Sequence, residues 1–177
     1  PTREIKKMRK PKLIALKMGA GKNPCVKQVK DKDMNDFYRG IEIDTLARTL
    51  WGEARGEGTA GMEAAASVVL NRVKIAVENN GRWWWGGNII QVCQKPYQFS
   101  CWNRSDPNFQ KLQAVDEKDL YFATAMRIAR RAVEGAIPDS TNGATHYHAR
   151  GTDPFWARGE TPVAAIGNHI FYRLTEG

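Results

Sequence analysis

Between Ile43 and Val73 two helical apolar stripes run in succession, interrupted only by Gly56 and Gly58. Ile43, Leu46, Ala47, Leu50, Trp51 and Ala54 recur at i, i+3, i+4, i+7, i+8 and i+11, the spacing of one buried helix face. Gly56 and Gly58 end that helix. The second carries Met62, Ala65, Ala66, Val69 and Val73 on one side, with Arg72 and Lys74 read as lying off it. Asn79-Asn80-Gly81 then forms a turn. A third helix is predicted to start near Glu117-Lys118-Asp119, to carry Phe122, Met126, Ala129, Val133 and Ala136 inward, and to close at Pro138. Residues 82–108 are irregular and aromatic, and three consecutive tryptophans, Trp83, Trp84 and Trp85, cannot all face inward. Beyond Pro138, Gly143, Gly151, Pro154, Gly159, Pro162 and Gly167 cut the chain into short strands and loops. The expected class is α+β, mostly helical with a small β, loop-rich C-terminal part.

The 177 residues suit a single domain with its own core. All of the +8 net charge falls on residues 1–40, which hold 12 Lys/Arg against 4 Asp/Glu; residues 41–177 balance. The expected division is a basic arm over 1–40 and a catalytic domain over 41–177. Such an arm is attracted to anionic envelope polymers or a membrane surface and is screened by salt. Nucleic acid would satisfy it equally on charge alone. No apolar run reaches the roughly 18 residues that would span a bilayer. Pro1-Thr2 leads into Lys/Arg without an apolar signal-peptide core, so no cleaved leader is expected. Cys93 and Cys101 are close enough to bridge and are equally compatible with free thiols; no C-x-x-C pair points to structural zinc.

Glu53 is the residue with chemical interest. On the first helix it projects beside Leu46 and Leu50, at the margin of the apolar stripe. A carboxyl there is partly desolvated, which favours its protonated form. A protonated carboxylic acid near neutral pH can deliver a proton to a leaving oxygen, the requirement for cleaving a glycosidic bond. The competing reading is a helix-end glutamate that caps backbone or pairs with Arg48 or Arg55.

Trp51-Gly-Glu-Ala-Arg-Gly-Glu-Gly58 and Ala64-Ala-Ala-Ser-Val-Val-Leu-Asn-Arg-Val73 closely resemble the SleB/CwlJ-type cell-wall hydrolase family. The resemblance continues through Pro96-Tyr-Gln-Phe-Ser-Cys-Trp102, Ala144-Thr-His-Tyr-His-Ala149 and Ile166-Gly-Asn-His-Ile-Phe-Tyr172. It implies a lysozyme-related domain that cuts the N-acetylmuramic acid–N-acetylglucosamine linkage of peptidoglycan, with Glu53 as acid/base and no cofactor or metal. No nucleic-acid partner is then expected, and the chain is expected to be a monomer. His146-Tyr147-His148 replaces a tyrosine-rich segment of the spore germination members and looks more like phage-type members. That points to an endolysin, held in the host cytoplasm before release and acting at the cell wall.

Two-carboxylate glycosidases need a second acid. Glu57, Asp139, Asp153 and Glu160 are the candidates, and Glu57 reads more readily as a salt bridge or cap. One competent acid suffices for lytic transglycosylation, in which the muramic acid 6-hydroxyl attacks the anomeric carbon. Hydrolysis by the same acid is the alternative. Tyr147 is assigned a supporting role at the cleaved sugar. Glu57, Gln98, Phe99, Trp102, His146 and His148 are candidate substrate-binding residues: Gln98 for an acetamido or hydroxyl group, the aromatics for stacking on sugar faces. The rival enzyme class is an N-acetylmuramoyl-L-alanine amidase with zinc on His146, His148 and His169. A non-enzymatic wall- or nucleic-acid-binding protein is the remoter reading.

Overall fold

The computed structural model describes residues 31–175. Most of the basic arm lies outside them. Five α-helices precede a small sheet: α1 (Asp31–Ala54), α2 (Gly58–Glu78), α3 (Ile89–Gln94), α4 (Phe109–Ala114) and α5 (Leu120–Val133). Strands β1 (His146–Ala149), β2 (Ala164–Ile166) and β3 (His169–Tyr172) pair antiparallel in the order β1-β3-β2. The helical body with a small β part matches the expected class.

The predicted stripe of α1 is inside: Leu46, Ala47, Leu50, Trp51 and Ala54 are buried against α2, α3 and α5. The helix begins at Asp31, well before Ile43, so residues 31–40, grouped with the arm by charge, are helical. A 3₁₀ turn over Arg55–Glu57 joins α1 to α2, which starts at Gly58 with φ +67°.

Helix α2 is covered on two sides, which a one-stripe reading does not anticipate. Met62, Ala65, Ala66 and Val69 pack into the helical core. Ala64 and Val68 meet Ala144 and Phe171 on the sheet side. Its run of alanines keeps both neighbours close, since their small side chains hold the facing surfaces little apart.

Helix α5 is capped by Asp119, whose carboxylate accepts from the Tyr121 and Phe122 amides. It buries Phe122, Ala125, Ile128, Ala129 and Ala132, and stops at Val133 rather than running to Ala136. Gly135 at φ +71° reverses the chain three residues before Pro138. Within the aromatic segment, α3 is a helix not foreseen: Asn88 caps it by accepting from Gln91 N–H. Of the three tryptophans, Trp85 is buried, Trp83 is half-buried and Trp84 is exposed. Among the described residues no helix is long and apolar enough to cross a membrane.

Candidate active site

A cleft of about 400 Å³ opens where the end of α1, the middle of α2, the 97–99 segment and β1 converge. Its wall includes Glu53, Arg72, Trp84, Gln98, His146 and Tyr147, with Tyr97, Phe99, Trp156 and Leu174 completing it.

Glu53 stands half-buried one residue before the end of α1. Its Oε1 accepts the Cys101 amide N–H at 3.1 Å. Gly52 makes that approach possible: a Cβ there would lie 2.6 Å from Cys101 Cβ and 2.8 Å from its Sγ. Neither predicted partner takes the carboxylate away. Arg48 is held by Asp44 at 2.8 Å and by α4 carbonyls, while Arg55 donates to Trp51 O, Gly52 O and Asn108 Oδ1. With Oε1 committed to a backbone donor, Oε2 is the atom that can carry a proton to a ligand.

Tyr147 enters from the opposite wall. Its phenol is buried, and burial, reinforced by the charge of Glu53, raises it well above its ordinary pKa, so it remains a neutral donor. Its ring lies 5.0 Å from His169 and 5.5 Å from Phe171. His146 is lowered to about 4, first by burial and then by the Arg72 cation, and is neutral at physiological pH. Its ring faces Trp84 and Trp156 at 6.3 and 5.3 Å.

Arg72 corrects the sequence reading. It lies inside, 4% exposed, not off the apolar stripe. Its Nε donates to Thr145 O at 2.7 Å, and its guanidinium sits over Trp85 and Phe99 at 5.5 and 5.4 Å. Burial lowers it to about 10, so it is still a cation at neutral pH. Three residues after Val69 and seven after Ala65, its position continued the stripe; its charge argued the other way.

Of the sequence candidates, Glu53, Tyr147, Gln98, Phe99 and His146 share the cleft. Glu57, Trp102 and His148 are not on its wall. Glu57 Oε2 accepts the Asn168 N–H at 2.7 Å, tying the 55–57 turn to the β2–β3 turn. That turn uses Gly167 at φ +56°, where a side chain would collide with the same carboxylate. Trp102 donates Nε1 to Thr49 Oγ1 at 2.9 Å and borders a neighbouring cavity shared with Tyr97. His148 stacks on Tyr172 at 5.4 Å, with Nε2 3.1 Å from the phenolic oxygen.

Register argues against a three-histidine set. Ala149 pairs with His169 and Tyr147 with Phe171, so His169 shares the face of Tyr147 while His146 and His148 share the other. No group of His, Cys, Asp or Glu among the described residues is arranged to hold a metal. Cys93 and Cys101 are free, buried thiols. Burial pushes Cys93 up to about 12, and burial with the nearby Glu53 raises Cys101 further.

Residues 56–172 match the profile of a family described as Cell Wall Hydrolase, a span that starts just after Glu53. A spore cortex-lytic enzyme of Halalkalibacterium halodurans is 31% identical over 137 residues, covering 76% of this chain and 35% of the relative. One from Bacillus cereus is 30% identical over 149 residues, covering 81% and 49%. The chain thus spans half or less of the length of these relatives. Among solved structures, the catalytic domain of the Bacillus cereus SleB protein superposes with a TM-score of 0.57 at 25% identity, over 75% of this chain and 89% of that one.

Proposed function

The chain belongs to the cell wall hydrolase family, and we propose that it cleaves the N-acetylmuramic acid–N-acetylglucosamine bond of peptidoglycan as a lytic transglycosylase, with Glu53 as its acid/base. One observation carries this reading: among the described residues, Glu53 is the sole carboxylate on the wall of the cleft. The other acids considered are engaged or lie elsewhere. Asp139, despite partial burial, is held below its ordinary pKa by donors from Thr141, Gly143 and Asn71. Asp153 pairs with Arg158 at 2.9 Å, Glu57 holds the β2–β3 turn, and Glu160 is exposed.

With one carboxyl, the economical reaction needs no activated water. Protonated Glu53 gives its proton from Oε2 to the glycosidic oxygen as the bond to the anomeric carbon breaks. The 6-hydroxyl of the same muramic acid bonds to that carbon and returns its proton to the Glu53 carboxylate. The acid is restored and a 1,6-anhydro end remains. Neutral Tyr147 donates to the cleaved sugar, and Gln98, half-buried on the same wall, is available to a sugar hydroxyl. Trp84 borders both this cleft and a second cavity of about 400 Å³ formed with Ile90, Gln94 and Pro96. A polymer of several sugars has room to continue past the cut, with exposed Trp84 as a stacking face.

Digesting purified peptidoglycan with the wild type and Glu53→Gln, and weighing the products by mass spectrometry, tests this. Anhydro-muramyl ends absent from the Glu53→Gln digest are expected. Reducing muramic ends that depend on Glu53 would instead mean a hydrolytic muramidase. Stem peptides released by both proteins, with glycan uncut, would overturn the reading in favour of an amidase.

The relatives described above are spore cortex-lytic enzymes, so an endolysin role rests only on the His146-Tyr147-His148 segment. The basic residues of 1–40 are proposed to hold the protein at anionic envelope surfaces. Deleting 1–30 should remove salt-dependent retention on isolated envelopes; unchanged retention would refute it.

A further inference from the structure

Two buried donors on the cleft wall have no protein acceptor among the described residues: Arg72 Nη1 and Tyr147 Oη. Both belong to residues that line the cavity holding Glu53, one from α2 and one from β1. The rest of the Arg72 side chain is held in place. Nε is fixed to Thr145 O, and the flat faces lie against Trp85 and Phe99. These contacts hold the guanidinium in place and leave Nη1 without an acceptor among the described residues. A guanidinium buried with a donor unmatched is costly unless a ligand supplies the acceptor.

Two unpartnered donors on one cavity wall select an oxygen acceptor, and Glu53 narrows its charge. A second full anion in this cavity would face the carboxylate that forms when Glu53 gives up its proton; a neutral carbonyl would not. The sugars of the proposed substrate carry such a group beside the reacting centre. The 2-acetamido carbonyl is attached one carbon from the anomeric carbon, and Glu53 must lie at the oxygen on that carbon.

We propose that Arg72 Nη1 and Tyr147 Oη together bind the acetamido carbonyl of the sugar being cleaved, making Arg72 the residue that selects N-acetylated over de-N-acetylated glycan. The proposal rests on the glycan-cleaving reading above, with the acetamido group as the added claim. Arg72 touches substrate here as a binding residue, and its anchorage to β1 serves to aim it.

The test is a cycle between a substrate group and a side chain. Soluble glycan fragments and the same fragments after de-N-acetylation are titrated calorimetrically into Glu53→Gln, Glu53→Gln/Arg72→Lys and Glu53→Gln/Tyr147→Phe. Cleavage of both fragments is followed in parallel with Glu53 intact. Glu53→Gln should prefer the acetylated fragment by about 10- to 100-fold, the range expected of a hydrogen bond from a charged donor. Arg72→Lys keeps the charge but not the planar reach of the guanidinium, and should lose most of that preference. Tyr147→Phe, which removes one hydroxyl and little else, should lose part of it. Full preference retained in Arg72→Lys and Tyr147→Phe would overturn the proposal, whatever their melting temperatures, and leave Arg72 as an anchor between α2 and β1. Acetylation-dependent binding without any cleavage by the wild type would instead sink the catalytic reading and leave the carbonyl site standing.

Discussion

Replacing Gly52 with alanine should abolish the proposed glycan cleavage from a position off the cleft wall. Alanine is normally the better helix residue, by about 1 kcal/mol over glycine. Here its methyl would be placed 2.6 Å from Cys101 Cβ, 2.8 Å from Cys101 Sγ and 3.3 Å from Leu112 Cδ1. Carbon atoms sit comfortably at about 3.5–4 Å, so α1 and the Ser100–Trp102 turn must separate by about 1 Å. Overpacking of this kind costs about 1–3 kcal/mol, or roughly 3–10 °C in Tm for a domain of this size. The same separation draws the Cys101 amide away from Glu53 Oε1, a contact of 3.1 Å. A displacement of about 1 Å at a catalytic group can lower turnover by about 100-fold. Denaturant unfolding and the rate of the proposed glycan cleavage, measured on the same preparation, read both effects. Cys101→Gly in the Gly52→Ala background removes the clashing atoms and should recover part of the stability. Wild-type stability and turnover in Gly52→Ala would refute the account of why a glycine precedes the acid.

Two further perturbations separate roles that sequence alone left together. Glu57→Ala removes the acceptor of the Asn168 N–H and should lower stability by about 1 kcal/mol, the net worth of a typical hydrogen bond, while kcat stays near wild type; a collapse of kcat at unchanged stability would return Glu57 to the substrate. His146, with its folded-state pKa lowered to about 4, binds fewer protons folded than unfolded between about pH 6.5 and 4. Stability should therefore be fully present above pH 6.5 and decline as pH falls through that window. Solvent screening of the partly exposed ring limits the effect to about 1–2 kcal/mol. Denaturant midpoints measured from pH 4 to 7 should flatten in His146→Gln, and an unchanged slope in that variant would exclude the ring as the cause.

Local sequence carried the parts of this protein that depend on neighbours along the chain. Period and punctuation placed the two long helices, the break at Gly56–Gly58 and the turn at Asn79-Asn80-Gly81, because a helix face and a reversal are each written within a few residues. Glu53 was legible for the same reason: its place beside Leu46 and Leu50 follows from helical geometry. Folding in three dimensions decided what each charged group meets. Arg72 looked like a surface residue because no nearby residue announces the Thr145 carbonyl 73 positions later that accepts from it. Glu57 was drawn away from the cleft by Asn168, 111 positions on. Trp84, Tyr97 and Trp156 became cleft walls only when three separate segments converged. Burial of a charge or an amide depends on partners from distant elements, and that pairing exists only once the chain has packed.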